Sequence, residues 1–253
     1  MTAAAYSADR SLPAKLRRRW ARLVGRRPVR ARLDRPMVSF SFDDAPETAV
    51  GEGAAILEAA GARGTFYVSA GLAGGDSPSG RIAEPEAFRA LGGAGHEIGC
   101  HTFSHLDCGQ AETGAALDDV ARNRAAFAAW GAGEPTTFAY PYGDVAPRTK
   151  RALGSRFAAL RALHKGLVST GSDLNQLPAV GIEGAEGEAV AARWLERAAK
   201  RDGWLILYTH DVAREPSPWG CTPDALRRLV EQARALGCEI VTVAEGVRRV
   251  GAA

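Results

Sequence analysis

Ser41-Phe42-Asp43-Asp44-Ala45-Pro46 sets two adjacent carboxylates at the end of an apolar run. In an extended chain neighbouring side chains point to opposite sides, so one acid can hold a cation while the other works on a water. Acids opening a helix at Glu47 are the other reading of the pair, since the helix dipole favours them there. His101 and His105, in Gly99-Cys100-His101-Thr102-Phe103-Ser104-His105, are spaced four apart. On a helical turn they share one face and can grip one cation; a core histidine beside a surface one is the alternative. Two histidines and one aspartate make three ligands with a position left for water, the open arrangement of a catalytic zinc site. Pro141 and Gly143 flank Tyr142 just past a third apolar run. That turn can aim the Tyr142 backbone N–H into a site, or be only a turn with aromatic packing. His210 ends the run Leu205-Ile206-Leu207-Tyr208-Thr209. It is either a general acid, given an ordinary pKa near neutrality, or a capping residue.

These groups need a scaffold that brings strand ends together. Strands are expected at 37–42, 64–69, 97–100, 136–140, 157–160, 166–169, 204–208 and 239–243. Helices are expected at 47–60, 84–91, 111–130, 147–153, 186–201 and 223–236, from apolar periodicity and from Gly and Pro punctuation. Such alternation implies a largely parallel sheet with helices outside; about seven units suit a (β/α) barrel better than an open sheet, a choice that the pattern alone does not make. All four polar clusters follow an expected strand, at the edge where parallel α/β folds build their sites.

The chain has 253 residues and a net charge of +3. Residues 1–36 hold 11 Lys/Arg and 2 Asp/Glu, whereas the remainder holds 21 and 27. The body is therefore acidic, which argues against a nucleic-acid-binding surface there, and no nucleic-acid partner is expected. Residues 1–35 form a basic arm and 36–253 the body. Within the arm, Leu12, Leu16, Trp20, Leu23 and Val24 fall at helical spacing among arginines. Residues 11–27 can thus form an amphipathic helix that lies on an anionic membrane surface or packs on the body. The four cysteines fit no C-x-x-C pattern and are expected as reduced thiols. No apolar segment of secretory type follows the first basic residues, so a cytoplasmic protein, peripheral at the inner membrane if the helix binds lipid, is expected.

Taken together the clusters resemble the polysaccharide deacetylases of carbohydrate esterase family 4, the NodB homology domain. The family's T-F-D-D-G corresponds to Ser41-Phe42-Asp43-Asp44-Ala45, its H-[ST]-x-x-H to His101–His105, its R-x-P-[YF]-G to Pro141-Tyr142-Gly143, and its late histidine motif to Thr209-His210-Asp211. The resemblance covers roughly residues 36–245. The Pro216-Ser217-Pro218-Trp219-Gly220 loop after the last motif is similar to that of deacetylases acting on adhesive holdfast polysaccharide. The resemblance implies a distorted (β/α) barrel with about seven parallel strands, and a hydrolase of linear amides. It implies one divalent ion, most often zinc, on Asp44, His101 and His105. Asp43 would be the general base, Tyr142 an oxyanion donor through its N–H, and His210 the acid that protonates the leaving sugar amine. The implied partner is a polysaccharide or oligosaccharide bearing N-acetylamino sugars, or a lipid-linked precursor.

The departures from the pattern are specific. Ala45 replaces a glycine. Ala139 stands where an arginine normally orients the base, which leaves Arg161, Arg193 and Arg63 as candidates. No fourth motif is recognisable, and Asp173, near Asn175, is the expected support of His210. Tyr208 replaces a leucine of the acyl pocket, and Trp219 can stack on a sugar or anchor its loop. Competing functions are a deformylase or deacylase of a lipid-linked amino sugar, a small-molecule amidohydrolase, and a non-catalytic sugar-binding relative. No Gly-x-Ser-x-Gly elbow is present for a serine route.

Overall fold

The fold follows from strands that are buried on both faces. In the computed structural model, which describes residues 11–30 and 33–251, strand β1 (Met37–Asp43) has every residue buried. Its alternation decides the layers. Val38, Phe40 and Phe42 join Leu205 and Leu207 in the large core beneath the helices. Met37 joins Trp204, Ile206 and Tyr208 in a second core inside the curved sheet. The buried serines of β1 also have partners: Trp204 donates its indole N–H to Ser39 at 2.9 Å, and Ser41 donates to the Leu207 carbonyl at 2.8 Å.

Helix α1 (Leu12–Leu23) precedes β1. After β1 a single π turn (Ala49–Gly53) runs into α2 (Ala54–Ala59), followed by β2 (Thr65–Val68). A small hairpin of β3 (Asp76–Ser77) and β4 (Gly80–Arg81) fills the glycine-rich loop before α3 (Pro85–Gly93) and β5 (Glu97–Cys100). Then come α4 (Thr113–Trp130), β6 (Thr137–Ala139), α5 (Pro147–Gly154) and β7 (Ala159–Arg161). The chain ends with β8 (Val180–Gly181), α6 (Gly187–Arg201), β9 (Trp204–Thr209), α7 (Pro223–Ala235), β10 (Glu239–Ile240) and α8 (Val243–Gly251). Proline at the first turn opens α3, α5 and α7, where its missing N–H costs nothing.

The strands run parallel in the order β7-β6-β5-β2-β1-β9-β8, with β10 paired to the start of β1. Leu177 bridges to Arg161 at one edge and β8 pairs with β9 at the other, so residues 177–181 span the opening and the sheet curls into an incomplete barrel. This is the distorted barrel of about seven parallel strands that the resemblance implies. Two expected strands differ. Residues 166–169 make only an antiparallel bridge, Val168 to Trp204 at the start of β9, and the parallel place beside β9 is taken by β8 instead. The strand expected over 239–243 stops at Ile240 and turns into α8, whose Val243, Val247 and Val250 close the inner core. No helix among the described residues is long and apolar enough to cross a membrane.

Gly246 is where α8 meets the Trp204 ring: a Cβ there would lie 2.3 Å from Trp204 Cζ2. Gly246→Ala is expected to destabilise the protein by about 1–3 kcal/mol. Urea unfolding checks it, and an unchanged midpoint would mean that this end of the barrel is loosely packed.

Candidate active site

The site lies where β1, β5, β6, β7 and β9 end. Asp43 is the last residue of β1 and points inward with Ser39 and Ser41. There it meets Arg161, the last residue of β7, whose Nη2 donates to Asp43 Oδ1. Arg161 is fully buried, with its guanidinium 5.0 Å from the Tyr67 ring centre and 5.4 Å from that of Tyr208. Burial pushes the Asp43 carboxyl up, but Arg161, His101 and His210 together bring it below the ordinary aspartate value. Of the three arginines the sequence offers, this one orients Asp43. Ala139 is its direct neighbour across the β6–β7 pairing, so the arginine expected at 139 has been exchanged for one on the next strand.

Asp44 turns the other way, toward the histidines. Its Oδ1 lies 3.3 Å from His105 Nε2 and 3.8 Å from His101 Nε2. The ligand atoms of Asp44, His101 and His105 all lie within 4.8 Å of one another. His101 Nδ1 is 2.8 Å from the Ala139 carbonyl, which can only accept, so the proton sits on Nδ1 and Nε2 offers its lone pair. Burial, helped by the neighbouring His105, lowers His101 to about 4 and keeps it neutral. Asp44 Oδ1 is buried and has no hydrogen-bond partner. An orphaned carboxylate oxygen facing two imidazole nitrogens fits a divalent cation.

The histidines do not share a helical turn, contrary to the sequence expectation. Thr102 (φ +61°) and His105 (φ +56°) are left-handed, and the loop folds back on itself. Asp119 on α4 holds it: its carboxylate accepts from the Phe103 and Ser104 amides at 2.8 and 2.9 Å. Asn123, one turn further, accepts from the Ala70 amide and donates to the Val68 carbonyl, fixing the end of β2. Asp44 (φ +60°), Ala45 (φ +56°) and Tyr142 (φ +59°) are left-handed too. Ala45 thus occupies the backbone state that the family's glycine adopts freely. Tyr142 sits in a 3-10 turn (Pro141–Gly143), its ring edge-on to His105 with centres 4.5 Å apart. Gly143 (φ +67°) lies against Leu163, 2.5 Å from where a Cβ would stand.

His210 follows β9. Its Nδ1 lies 3.3 Å from Glu183 Oε1, and Tyr208 donates to Glu183 Oε2 at 3.1 Å. Burial pulls His210 down, but Glu183, Asp43 and Asp44 together raise it to about 9. Asp173, expected to support His210, does something else: it pairs with Lys150 at 2.6 Å and accepts from the Arg27 amide at 2.9 Å. Asn175 likewise donates to the Gly25 carbonyl, so this segment anchors the arm. Glu183, just past two-residue β8, was missed because so short a strand leaves no periodic signal. Trp219 is 41% exposed, and its carbonyl accepts from the His210 amide at 3.0 Å. Cys100, Cys108, Cys221 and Cys238 are buried free thiols.

Arg161→Ala leaves Asp43 a buried charge without its partner and is expected to cost about 3–5 kcal/mol in chemical denaturation. Side chains at paired positions of adjacent strands point the same way, so Ala139→Arg in that background should recover most of the loss. A double variant no more stable than Arg161→Ala would show that the two positions are not interchangeable.

The polysaccharide deacetylase family model matches residues 30–157, half of the chain, and takes in the first three clusters but neither Arg161 nor His210. No curated protein sequence matches. Among solved structures, the chain is similar to a Mycobacterium smegmatis protein assigned to the polysaccharide deacetylases (TM-score 0.70, 19% identity, 89% of this chain and 96% of that one). It is similar to the chitin deacetylase of Colletotrichum lindemuthianum (0.63, 18%, 88% and 91%). It is also similar to a family 4 acetyl xylan esterase from Clostridium thermocellum, solved with a cobalt ion (0.57, 21%, 85% and 92%). With its motifs on the strand ends of this barrel, the chain belongs to the polysaccharide deacetylase family.

Proposed function

We propose that the protein is a metal-dependent N-deacetylase that releases acetate from N-acetylhexosamine units, N-acetylglucosamine foremost. Its substrate is read as an exopolysaccharide or its precursor, such as an adhesive holdfast-type polysaccharide. The observation that carries the reading is the orphaned Asp44 oxygen facing His101 and His105, with Asp43–Arg161 on one side and His210–Glu183 in the same strand-end cluster. The cobalt in the esterase structure supports a cation in this fold.

Asp44, His101 and His105 would hold the cation. A divalent ion bound there, zinc by the donor set, acidifies water and polarises the acyl carbonyl. The chain's own groups do the rest. Asp43, kept ionised by Arg161, takes the proton of the attacking water. The Tyr142 backbone N–H is read as a donor to the developing oxyanion, a reading supported by the left-handed conformation of its turn. His210, held charged by Glu183, gives its proton to the amide nitrogen as the C–N bond breaks. A C–O bond replaces it, acetate leaves, and the sugar keeps a free amine. Trp219 offers an exposed ring beside His210 on which a pyranose can stack. Tyr208, tied to Glu183 and facing Arg161, narrows the acyl side of the site, which favours short acyl groups. That also admits an N-formyl substrate, and faster release of formate than acetate would replace the deacetylase reading with a deformylase one.

Acetate release from N-acetylglucosamine oligomers is expected to stop with a chelator and return with zinc. Asp43→Asn, which keeps an acceptor for Arg161, and His105→Ala should each lower kcat by about 100-fold or more. Wild-type-like turnover in either variant, measured by acetate assay on folded protein, would defeat the assignment.

The acid in this scheme is the imidazolium, which is lost as pH rises through its pKa. The alkaline limb of kcat/KM should therefore lie above the ordinary histidine value of about 6.5. Glu183→Gln removes the largest of the influences that raise His210 and should move that limb toward acid. A limb that stays put would mean that another group supplies the proton.

A further inference from the structure

The four large apolar side chains most exposed among the described residues are Leu12 (74%), Leu16 (68%), Leu23 (64%) and Trp20 (59%). All belong to α1. Their spacing puts them on one stripe of the helix, and Arg19 and Arg22 beside the stripe are exposed as well. The opposite face is fixed to the body. Ala21 is fully buried, Arg17 and Arg18 both reach the buried carboxylate of Asp144, and Lys150 donates to the Ala21 carbonyl at 2.6 Å. The helix therefore cannot roll its apolar stripe inward without breaking the part-buried ion pairs on Asp144 and the Lys150 bond.

We propose that α1 is a membrane-surface helix, with Leu12, Leu16, Trp20 and Leu23 entering the acyl boundary of an anionic bilayer and Arg19 and Arg22 meeting its headgroups. The charge pattern selects this occupant. A body with 27 Asp/Glu against 21 Lys/Arg is repelled by anionic lipid, so the arm must supply the attraction. A second copy on the same stripe would set Arg19 and Arg22 of each chain near those of the other about a two-fold axis. The stripe is also small, about 18 Å by 10 Å, well below the ~800 Å² that each partner of a stable dimer covers. The placement of α1 gives the contact a use. Asp144 directly follows the Tyr142–Gly143 turn, and Trp20 and Val24 share a surface cleft with Glu112, Ala146 and Pro147. Membrane docking thus brings the rim of the strand-end site to the lipid surface. The inference holds whichever acyl group the site removes.

Full-length protein is mixed with vesicles of phosphatidylcholine alone or with phosphatidylglycerol added, then sedimented. The expected result is binding to the anionic vesicles that weakens with salt. Leu16→Asp with Trp20→Asp should abolish it, and Arg19→Gln with Arg22→Gln should weaken it by roughly 30-fold. Both variants should melt like wild type and keep their acetate release from soluble oligomers, since neither pair touches the site. No binding by the wild type overturns the proposal. So does binding that the Asp variant retains, or a wild-type dimer in analytical ultracentrifugation that the same variant dissolves, which would assign the stripe to a second copy.

Discussion

A guanidinium sealed inside a barrel is the constraint to which the rest of the structure answers. Arg161 is fully buried, faces two tyrosine rings and has one carboxylate for a counter-charge, while its Nε and Nη1 have no protein partner. Such a pair is a poor source of stability, because stripping water from both charges costs about as much as their attraction returns. Its value is electrostatic. With Arg161 in place, Asp43 stays ionised in surroundings that would otherwise favour its protonated form. The second aspartate is then left to face the histidines. The barrel supplies what this needs: two strand ends, β1 and β7, that meet across its interior while β6 and β5 bring the histidine loop between them.

Holding these groups together costs backbone energy. Five of the six left-handed non-glycine residues among those described are Asp44, Ala45, Thr102, His105 and Tyr142. Each such residue costs on the order of 1–2 kcal/mol relative to an ordinary conformation. The offset comes from hydrogen bonds on the loops themselves. Asp119 gathers two amides and the Ser104 hydroxyl, Thr102 accepts from the Leu106 amide, and Asn123 ties β2 to Cys100. Helix α4 is therefore more than an outer layer. Its buried Asp119 and Asn123 transmit the rigidity of the sheet to the loop that carries both histidines.

How much of this the sequence disclosed depends on how local each feature is. Asp43–Asp44, His101–His105, Tyr142 and His210 were legible because their types and spacing follow strong apolar runs; the alternation of those runs with helices disclosed a parallel sheet, and its closing into a barrel came only with the family resemblance. The partners were not. Choosing Arg161 over Arg63 or Arg193 requires knowing that β6 and β7 are neighbours in register, a fact of topology that no spacing encodes. Asp173 was a reasonable candidate by position, yet the chain carries it toward Lys150 and the arm, and Glu183 arrives beside His210 only because two-residue β8 docks on β9. The histidine spacing suggested a helical turn because left-handed residues other than glycine leave no mark in a sequence. Helix α8 escaped because Val241 and Val243 read as the end of a strand, and its glycine at 246, which looks like a helix breaker, is there for the Trp204 ring.

Composition shows a basic arm on an acidic body but cannot say which charges are spent within the fold. Arg17 and Arg18 are committed to Asp144, and Arg27 donates to the carbonyls of Gly154, Phe157 and Ala158. Lys150 and Asp173 lock the same region from the body's side. Those cations act as internal fasteners, where a neutral donor of the same reach would serve the carbonyls but not the buried carboxylates. Arg19 and Arg22 are on the other side of α1, beside the exposed leucines, and face water. The arm is thus divided lengthwise, one face built as protein interior and the other as a surface of opposite sign to the body. Because the inner face grips the residue that follows the Tyr142 turn, whatever force acts on the outer face is delivered to the edge of the site.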